Sequence, residues 1–271
     1  MRYIIDHDFH IHSGGSMCSG DPNQTPARIL QYAVDEGFVA VALTDHFWDE
    51  TVPMPTGGWG PDFYGPQNYP HISKNLPLPQ QEGIRYLFGA EVDMTLDGTV
   101  GISARRLATM DFVLISISHF HCTDFTIRGE DAATSQGRAT VLLNKLEQLL
   151  DYDLPWHKIG LAHLTGPKLG GGDPDAHCEV LRLVKGERLT ALFKKAAALG
   201  VGIELNTATF RFGNDAEEQA VVDFYAHAKE CGCRFFFGSD AHGADGFVYH
   251  RQRGQRMADS LGLTEADIFC V

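Results

Sequence analysis

"RFFFGSDAHG", residues 234–243, is a short apolar run that ends in two side chains of metal-ligand type, Asp240 and His242. An apolar run of this length, bounded by polar and Gly residues, suits a strand buried on both faces, as in a parallel sheet. The same form recurs in "RYIID" (2–6), "VAVAL" (39–43), "RYLFGAEV" (85–92), "DFVLISIS" (111–118), "KIGLAH" (158–163) and "VGIELN" (201–206). Helical patterns lie between several of these runs. "TPARILQYAVDEG" offers Thr25 as N-cap, Pro26 at the first helical position and Gly37 as its end, with Ile29, Leu30, Ala33 and Val34 as its apolar stripe. Residues 138–150, 189–200 and 215–232 read the same way. Seven strands with crossover helices predict one parallel α/β barrel over residues 1–271 rather than an open sheet with a second domain. The length, 271 residues of which 44% are hydrophobic, suits a single barrel.

One stretch breaks the alternation. Residues 47–83 are rich in Pro, Gly and aromatics, and a loop of that length is either functional or ordered by its own packing. Two readings stand open: a flap packed by Trp48, Trp59, Phe63 and Tyr64, or a lid over a site. The formal net charge is −13, which argues against a general nucleic-acid backbone binder and against an anionic membrane surface. The six cysteines form no CxxC pair and read as reduced thiols. No segment has the apolar length of a membrane span, and the N-terminus lacks a signal-peptide core, so a cytoplasmic location is expected.

The ends of the strands carry the chemistry. His10 and His12 in "DFHIH" (8–12) sit two apart, so both point to one face of a strand. The other strand ends supply Asp45 and His46, Glu91, His119 and His121, His163, Glu204 and Asn206, then Asp240 and His242. Barrel enzymes keep their chemistry at the C-terminal ends of the strands. A lone buried His is usually a hydrogen-bonded core residue. Seven strands each burying a polar group at the same end would cost desolvation seven times, and metal ions offset that cost together. His and carboxylate donors without a Cys cluster suit Zn²⁺, Mn²⁺ or Fe²⁺. Their number implies two or three ions with a bridging carboxylate such as Glu91, an arrangement that generates hydroxide at neutral pH. Asp8 and Asp45 are expected to orient the ligating histidines from behind.

"DFHIHS", "ALTDH", "FGAEVD", "ISISH", "LAH" and "GSDAHG" together resemble the PHP (polymerase and histidinol phosphatase) family of metal-dependent phosphoesterases, in the family's order over nearly the whole chain. The resemblance implies a distorted (β/α)7 barrel. It also implies three metal positions: His10, His12, Glu91 and Asp240; Glu91, His119 and His163; and His46 with His242. The family usually has Asp or His six residues after the second histidine of HxH, where this chain has Cys18; Asp21, three residues on, is favoured over Cys18 as the substitute ligand. "IELNTATFR" followed by "GSDAH" resembles the histidinol-phosphatase branch, which makes Arg211 a phosphate-binding candidate. Glu91 and Asp240 are the carboxylates expected at the reacting centre. His121 is a candidate proton donor to the leaving group, and Lys168 and Arg128 are weaker loop candidates.

The resulting expectation is a hydrolase of a small phosphorylated metabolite, histidinol phosphate specifically, acting through a metal-bridging hydroxide. Two alternatives remain from the residues. One is an amidohydrolase-like barrel acting on an amide or lactone, against which the absence of an evident bridging lysine speaks. The other is a non-catalytic module associated with a polymerase.

Overall fold

The computed structural model describes residues 2–58, 60–210 and 215–271. Seven strands, β1 (His7–Ile11), β2 (Ala40–Leu43), β3 (Arg85–Asp93), β4 (Phe112–Ser116), β5 (Ile159–Ala162), β6 (Gly202–Asn206) and β7 (Arg234–Gly238), form one sheet in sequence order with every pairing parallel. The connecting helices are α1 (Pro26–Glu36), α2 (Gly60–Tyr64), α3 (Tyr69–Ile72), α4 (Ala104–Leu107), α5 (Gly129–Ala132), α6 (Ser135–Leu149), α7 (Pro174–Leu183), α8 (Glu187–Leu199), α9 (Asp215–Glu230) and α10 (His250–Ser260). The (β/α)7 barrel expected from the alternation of patterns is the observed fold. Among the described residues, no helix is long and apolar enough to cross a membrane.

The start of the chain differs from expectation. Residues 2–6 are not a strand; β1 begins at His7. Tyr3 donates its amide to the Leu263 carbonyl (3.0 Å), so this segment hooks under the barrel instead of joining the ladder. The ladder starts where His7 faces Ala40. α1 is capped as read: the Thr25 side chain accepts from the Arg28 amide, and Gly37 takes a left-handed φ of 66°. α7 and α10 were not picked out by the sequence reading. α7 did carry a start signal, since Asp173 caps it ahead of Pro174. α10 has a Gly in its middle and little apolar content, and at Gly254 the helix comes close enough to the N-terminal segment that a Cβ would lie 2.5 Å from the end of the Ile5 side chain.

β1 and β7 close the barrel partly through side chains. The Phe237 amide donates to His7 Nε2 (3.0 Å) and the Ser239 amide to Asp8 Oδ1 (2.9 Å). Higher up, backbone bonds resume: the Asp240 amide to the His10 carbonyl (2.7 Å) and the His12 amide to the Ala241 carbonyl (3.0 Å). β1 also carries an irregularity. Asp8 pairs with Val41 and Ile11 with Leu43, so three residue steps on β1 span two on β2. The extra residue lets two neighbours serve the interior: Phe9 joins the floor while His10 reaches the polar end above it.

That floor is a plug of Phe9, Leu87, Phe112, Leu114, Phe236 and Phe269, all nearly inaccessible to solvent. It confines polar groups to the C-terminal end. Gly160 makes the plug possible, because a Cβ there would lie 2.7 Å from the rings of both Phe112 and Phe236. Gly160→Ala should therefore destabilise the barrel by about 1–3 kcal/mol through overpacking. A drop in melting temperature checks this, and an unchanged value would show slack in the floor.

Residues 47–83 are ordered as a wall against the barrel top. Trp48, Phe63 and Tyr64 pack with Cys122 and Phe125 in a separate buried cluster. Polar contacts tie the segment down, among them four to the barrel top. Tyr64 donates to Asp93 (2.7 Å), Gln67 Oε1 accepts from the Met17 amide (3.0 Å), His71 Nε2 meets the Gly15 carbonyl (2.8 Å) and Asn75 donates to Asp45 (2.9 Å). The packed-flap reading describes this segment, with Trp59 outside the described residues.

Candidate metal centre

Glu91, on β3, is the hub of the barrel top. Its carboxylate is buried and faces five imidazoles: His163 Nε2 at 2.7 Å, His46 Nδ1 at 3.1 Å, His10 Nε2 at 3.3 Å, His12 Nε2 at 3.5 Å and His119 Nε2 at 3.6 Å. Asp240 Oδ1 lies 3.3 Å from His12 Nε2 and 3.5 Å from His10 Nε2. Donor atoms converge in three groups: His10, His12 and Asp240; Glu91, His119 and His163; and His12, His46 and His242. Each group joins residues from two or three strand ends, so the fold assembles what the chain keeps apart. In the third group His12 and His242 stack at a centroid distance of 4.0 Å.

The backbone bends to place two of these residues. His163 and Asp240 have left-handed φ values of 31° and 54°, unusual for side-chain-bearing residues and costing of order 1–3 kcal/mol each. The Glu204 carboxylate accepts the His163 amide, and the His10 carbonyl accepts the Asp240 amide. Gly238 leaves room for this convergence, since a Cβ there would lie 2.1 Å from Glu204 Oε1 and 2.6 Å from the His10 Cβ.

Asp8 and Asp45 do not orient the imidazoles as expected. Asp8 is used up in closing the barrel seam, and Asp45 holds the Ser13 amide (2.6 Å) and hydroxyl (2.7 Å). The orienting partners are others: Glu204 for His10 Nδ1 (2.8 Å), Asp93 for His119 Nδ1 (2.8 Å), Ser118 for His163 Nδ1 (2.9 Å) and the Asp240 carbonyl for His242 Nδ1 (2.9 Å). Asp93 was legible in principle, being two residues beyond Glu91 on the same strand face.

Asp21 is not brought into any of the three groups. Its carboxylate pairs with Arg28 (2.9 Å) and accepts the Asn23 amide (2.9 Å), which is what a loop aspartate beside a helix-borne cation does. Cys18 is exposed, with its thiol 3.6 Å from the Ser16 hydroxyl, and it also lies outside the groups. All six cysteines are free thiols. Arg211 falls outside the described residues. His121 lies 5.3 Å, ring to ring, from His119 and lines a pocket of about 200 Å³ with Ser118, His119, His163, Lys168 and Asp240. Burial on the pocket side, then the charges of His119 and Lys168, hold the His121 ring below its ordinary pKa. It is therefore neutral at pH 7 and not preloaded with a proton. Lys168 is on the pocket wall, whereas Arg128 is the residue that precedes α5 and does not line the pocket.

The electrostatics fit a cation. His10 Nδ1 meets the Glu204 carboxylate and would keep a proton there with Nε2 given to a cation. In the metal-free barrel burial is outweighed by the Glu204, Asp240 and Glu91 charges, which raise His10 well above its ordinary pKa. His10 Nε2 faces His12 Nε2 at 3.1 Å and two carboxylate oxygens, an arrangement that needs positive charge between its members. His46 Nδ1 is buried without an aligned hydrogen-bond partner. Burial and neighbouring histidines hold His12 well below its ordinary pKa, and burial chiefly brings His46 to about 4. Both are thus in the neutral form a metal requires. Burial pushes the Glu91 carboxyl up, but the imidazoles around it, with the charge of His10 and hydrogen bonds from His10 and His163, outweigh it and hold it well below the usual range.

A parallel barrel with histidines and carboxylates converging at its C-terminal mouth is the architecture of metal-dependent barrel hydrolases. The chain belongs to the PHP domain family, whose model matches residues 8–208. No curated protein matches it in sequence. Solved structures that share the fold include the following three. Histidinol phosphate phosphatase from Lactococcus lactis, solved with zinc, L-histidinol and phosphate, superposes with a TM-score of 0.56 at 16% identity, covering 97% of this chain and 95% of its own. A Listeria monocytogenes protein designated a histidinol phosphatase gives 0.59 at 15% identity, with 89% and 97% covered. An Acinetobacter baumannii protein designated a 2-pyrone-4,6-dicarboxylic acid hydrolase, with citric acid bound, gives 0.50 at 14% identity, with 98% and 96% covered. Family membership and fold together support a metal-dependent phosphoesterase.

Proposed function

We propose that the protein hydrolyses a small phosphomonoester at a centre of two or three divalent ions, with histidinol phosphate as the specific candidate. The observation that carries this reading is the Glu91 carboxylate shared among five imidazoles, with Asp240 beside it. His10, His12, Glu91 and Asp240 would hold one ion, Glu91, His119 and His163 a second, and His46 with His242 a third. Zinc, manganese or iron bound there would polarise the ester and supply its nucleophile from water. Neither Asp21 nor Cys18 is needed in this assignment.

The chain's own residues do the rest. Glu204, Asp93 and Ser118 fix the tautomers of His10, His119 and His163. The 200 Å³ pocket is smaller than the roughly 300–1,000 Å³ of drug-sized sites, which favours a phosphoryl group with a short leaving group. Lys168 on the pocket wall supplies a cation for phosphate oxygens, the role proposed also for Arg211. His121, neutral at pH 7, is better suited to accept a hydrogen bond than to donate a proton outright.

Phosphate release from a panel of phosphomonoesters tests the reading, with metal content measured on the same sample. Turnover of one ester, lost in His10→Ala, with two or three ions per chain, is expected. Equal rates on histidinol phosphate and a generic aryl phosphate would remove the specific substrate and keep the class. Inertness toward every ester, with turnover of an amide or lactone, would overturn the class.

A further inference from the structure

We propose that Tyr64, from the 47–83 wall, is a positioning residue of the metal centre, acting through Asp93 on His119. The inference rests on the reading above that Glu91, His119 and His163 hold an ion. It gives residues 47–83 a role in metal affinity rather than only in covering the barrel.

The contacts run in one line. The Tyr64 hydroxyl donates to Asp93 Oδ2 (2.7 Å), and His119 Nδ1 donates to Asp93 Oδ1 (2.8 Å). His119 Nε2 is thereby turned toward Glu91 Oε1 at 3.6 Å. Asp93 is fully buried, so each of its oxygens needs a donor. Tyr64 is a dependable donor: burial, then the Asp93 and Glu91 charges, push its hydroxyl well above its ordinary pKa. It is held from behind by aromatic packing, with the ring stacked on Phe125 (5.7 Å, 25°) and tilted against Trp48 (5.8 Å). His119 itself leaves β4 on a loop, so strand geometry does not fix its ring. The Asp93 carboxylate is what fixes it, and Tyr64 fixes the carboxylate.

A buried carboxylate bonded by only one partner can rotate about its last torsion and carry the imidazole with it. Losing an outer partner of a ligating His typically weakens metal binding about 10- to 100-fold. That is the shift expected for one ion in Tyr64→Phe, which removes the hydroxyl and keeps the ring.

The test is competition for Zn²⁺ between the protein and a chromophoric chelator, resolved ion by ion. Tyr64→Phe and Asp93→Asn should each weaken the same single ion about 10- to 100-fold. The double variant should weaken it by less than the product of the two, because the residues act in series. Phe193→Leu, in the core on α8 against Phe224 (5.2 Å) and out of contact with the metal centre, should lower the melting temperature and leave zinc affinity unchanged. Tyr64→Phe with wild-type affinity for every ion, or a double variant that shows the full product, overturns the inference and leaves the proposed function standing. A wild-type protein that binds none of zinc, manganese and iron overturns both.

Discussion

Glu91→Gln is expected to leave the barrel folded and to cut kcat/KM on the order of 10³-fold or more, the size of the several kcal/mol that metal chemistry supplies. The substitution keeps shape and volume while removing the charge that five imidazoles share. A glutamine amide has one oxygen acceptor and two N–H donors. Its nitrogen would point a donor at His163 Nε2 (2.7 Å from Glu91 Oε1) or at His46 Nδ1 (3.1 Å from Glu91 Oε2). Either way it places a donor where a cation would bind, and the carboxylate that would serve two of the proposed positions is lost. Elemental analysis should show at least one ion fewer per chain. The same substitution at Glu204 touches the orientation of His10, the His163 amide and the Asn206 side chain, and should cost less. A Glu91→Gln protein with full metal content and more than a tenth of wild-type turnover would show that the centre does not turn on this carboxylate.

Much of this centre could be read from the chain because each ligand sits at a fixed place relative to an apolar run. Glu91 follows "RYLFGA", His163 follows "KIGLA" and Asp240 follows "RFFFGS", so strand ends and ligands were found together. Two kinds of information were not local and were misread. The first is who orients whom. Asp8 and Asp45, adjacent to ligands in sequence, turned out to hold backbone and loop, while Glu204 and Asp93 orient imidazoles from strands far away in the chain. The second is the fate of loop residues. Asp21 has the right chemistry and lies close in sequence, yet Arg28 one helical turn into α1 claims its carboxylate. The first strand was displaced for a related reason: "RYIID" is apolar enough for a strand but has no ladder partner, whereas "HDFHI" has β2 beside it. The bulge that lets Phe9 and His10 both serve the interior depends on that pairing and has no signature in either segment alone.

Stripping the protein with a chelator is expected to lower its melting temperature by about 5–10 °C for each ion previously held at a hundred times its dissociation constant. An ion that binds only the folded chain adds about 2.7 kcal/mol at that saturation, and each kcal/mol is worth roughly 2–4 °C at this chain length. The stripped protein should also acquire a pH dependence that the loaded one lacks on the alkaline side. Burial works against protonating His119, but Asp93, then Glu91, outweigh it and raise the ring to about 9. A raised folded value stabilises fully below the ordinary 6.5 and fades as pH climbs from there through 9. On the acid side two effects add. His46, held at about 4 chiefly by burial, refuses a proton that the unfolded chain accepts below 6.5, so stability falls as pH drops. Glu91 and Asp240, both held well below the carboxylate range against their burial, contribute above the unfolded value near 4 and lose that contribution as pH falls further. With metal bound, His119 is already neutral as a ligand, so raising the pH has no proton to remove from it. Melting curves of loaded and stripped protein between about pH 6 and about pH 9 should therefore diverge as the pH rises, with the stripped form falling faster. Parallel curves over that range would mean that neither His119 nor His10, whose pKa Glu204, Asp240 and Glu91 raise against its burial, carries an added proton in the metal-free barrel, and that the Asp93 contact orients a neutral ring rather than holding a charge.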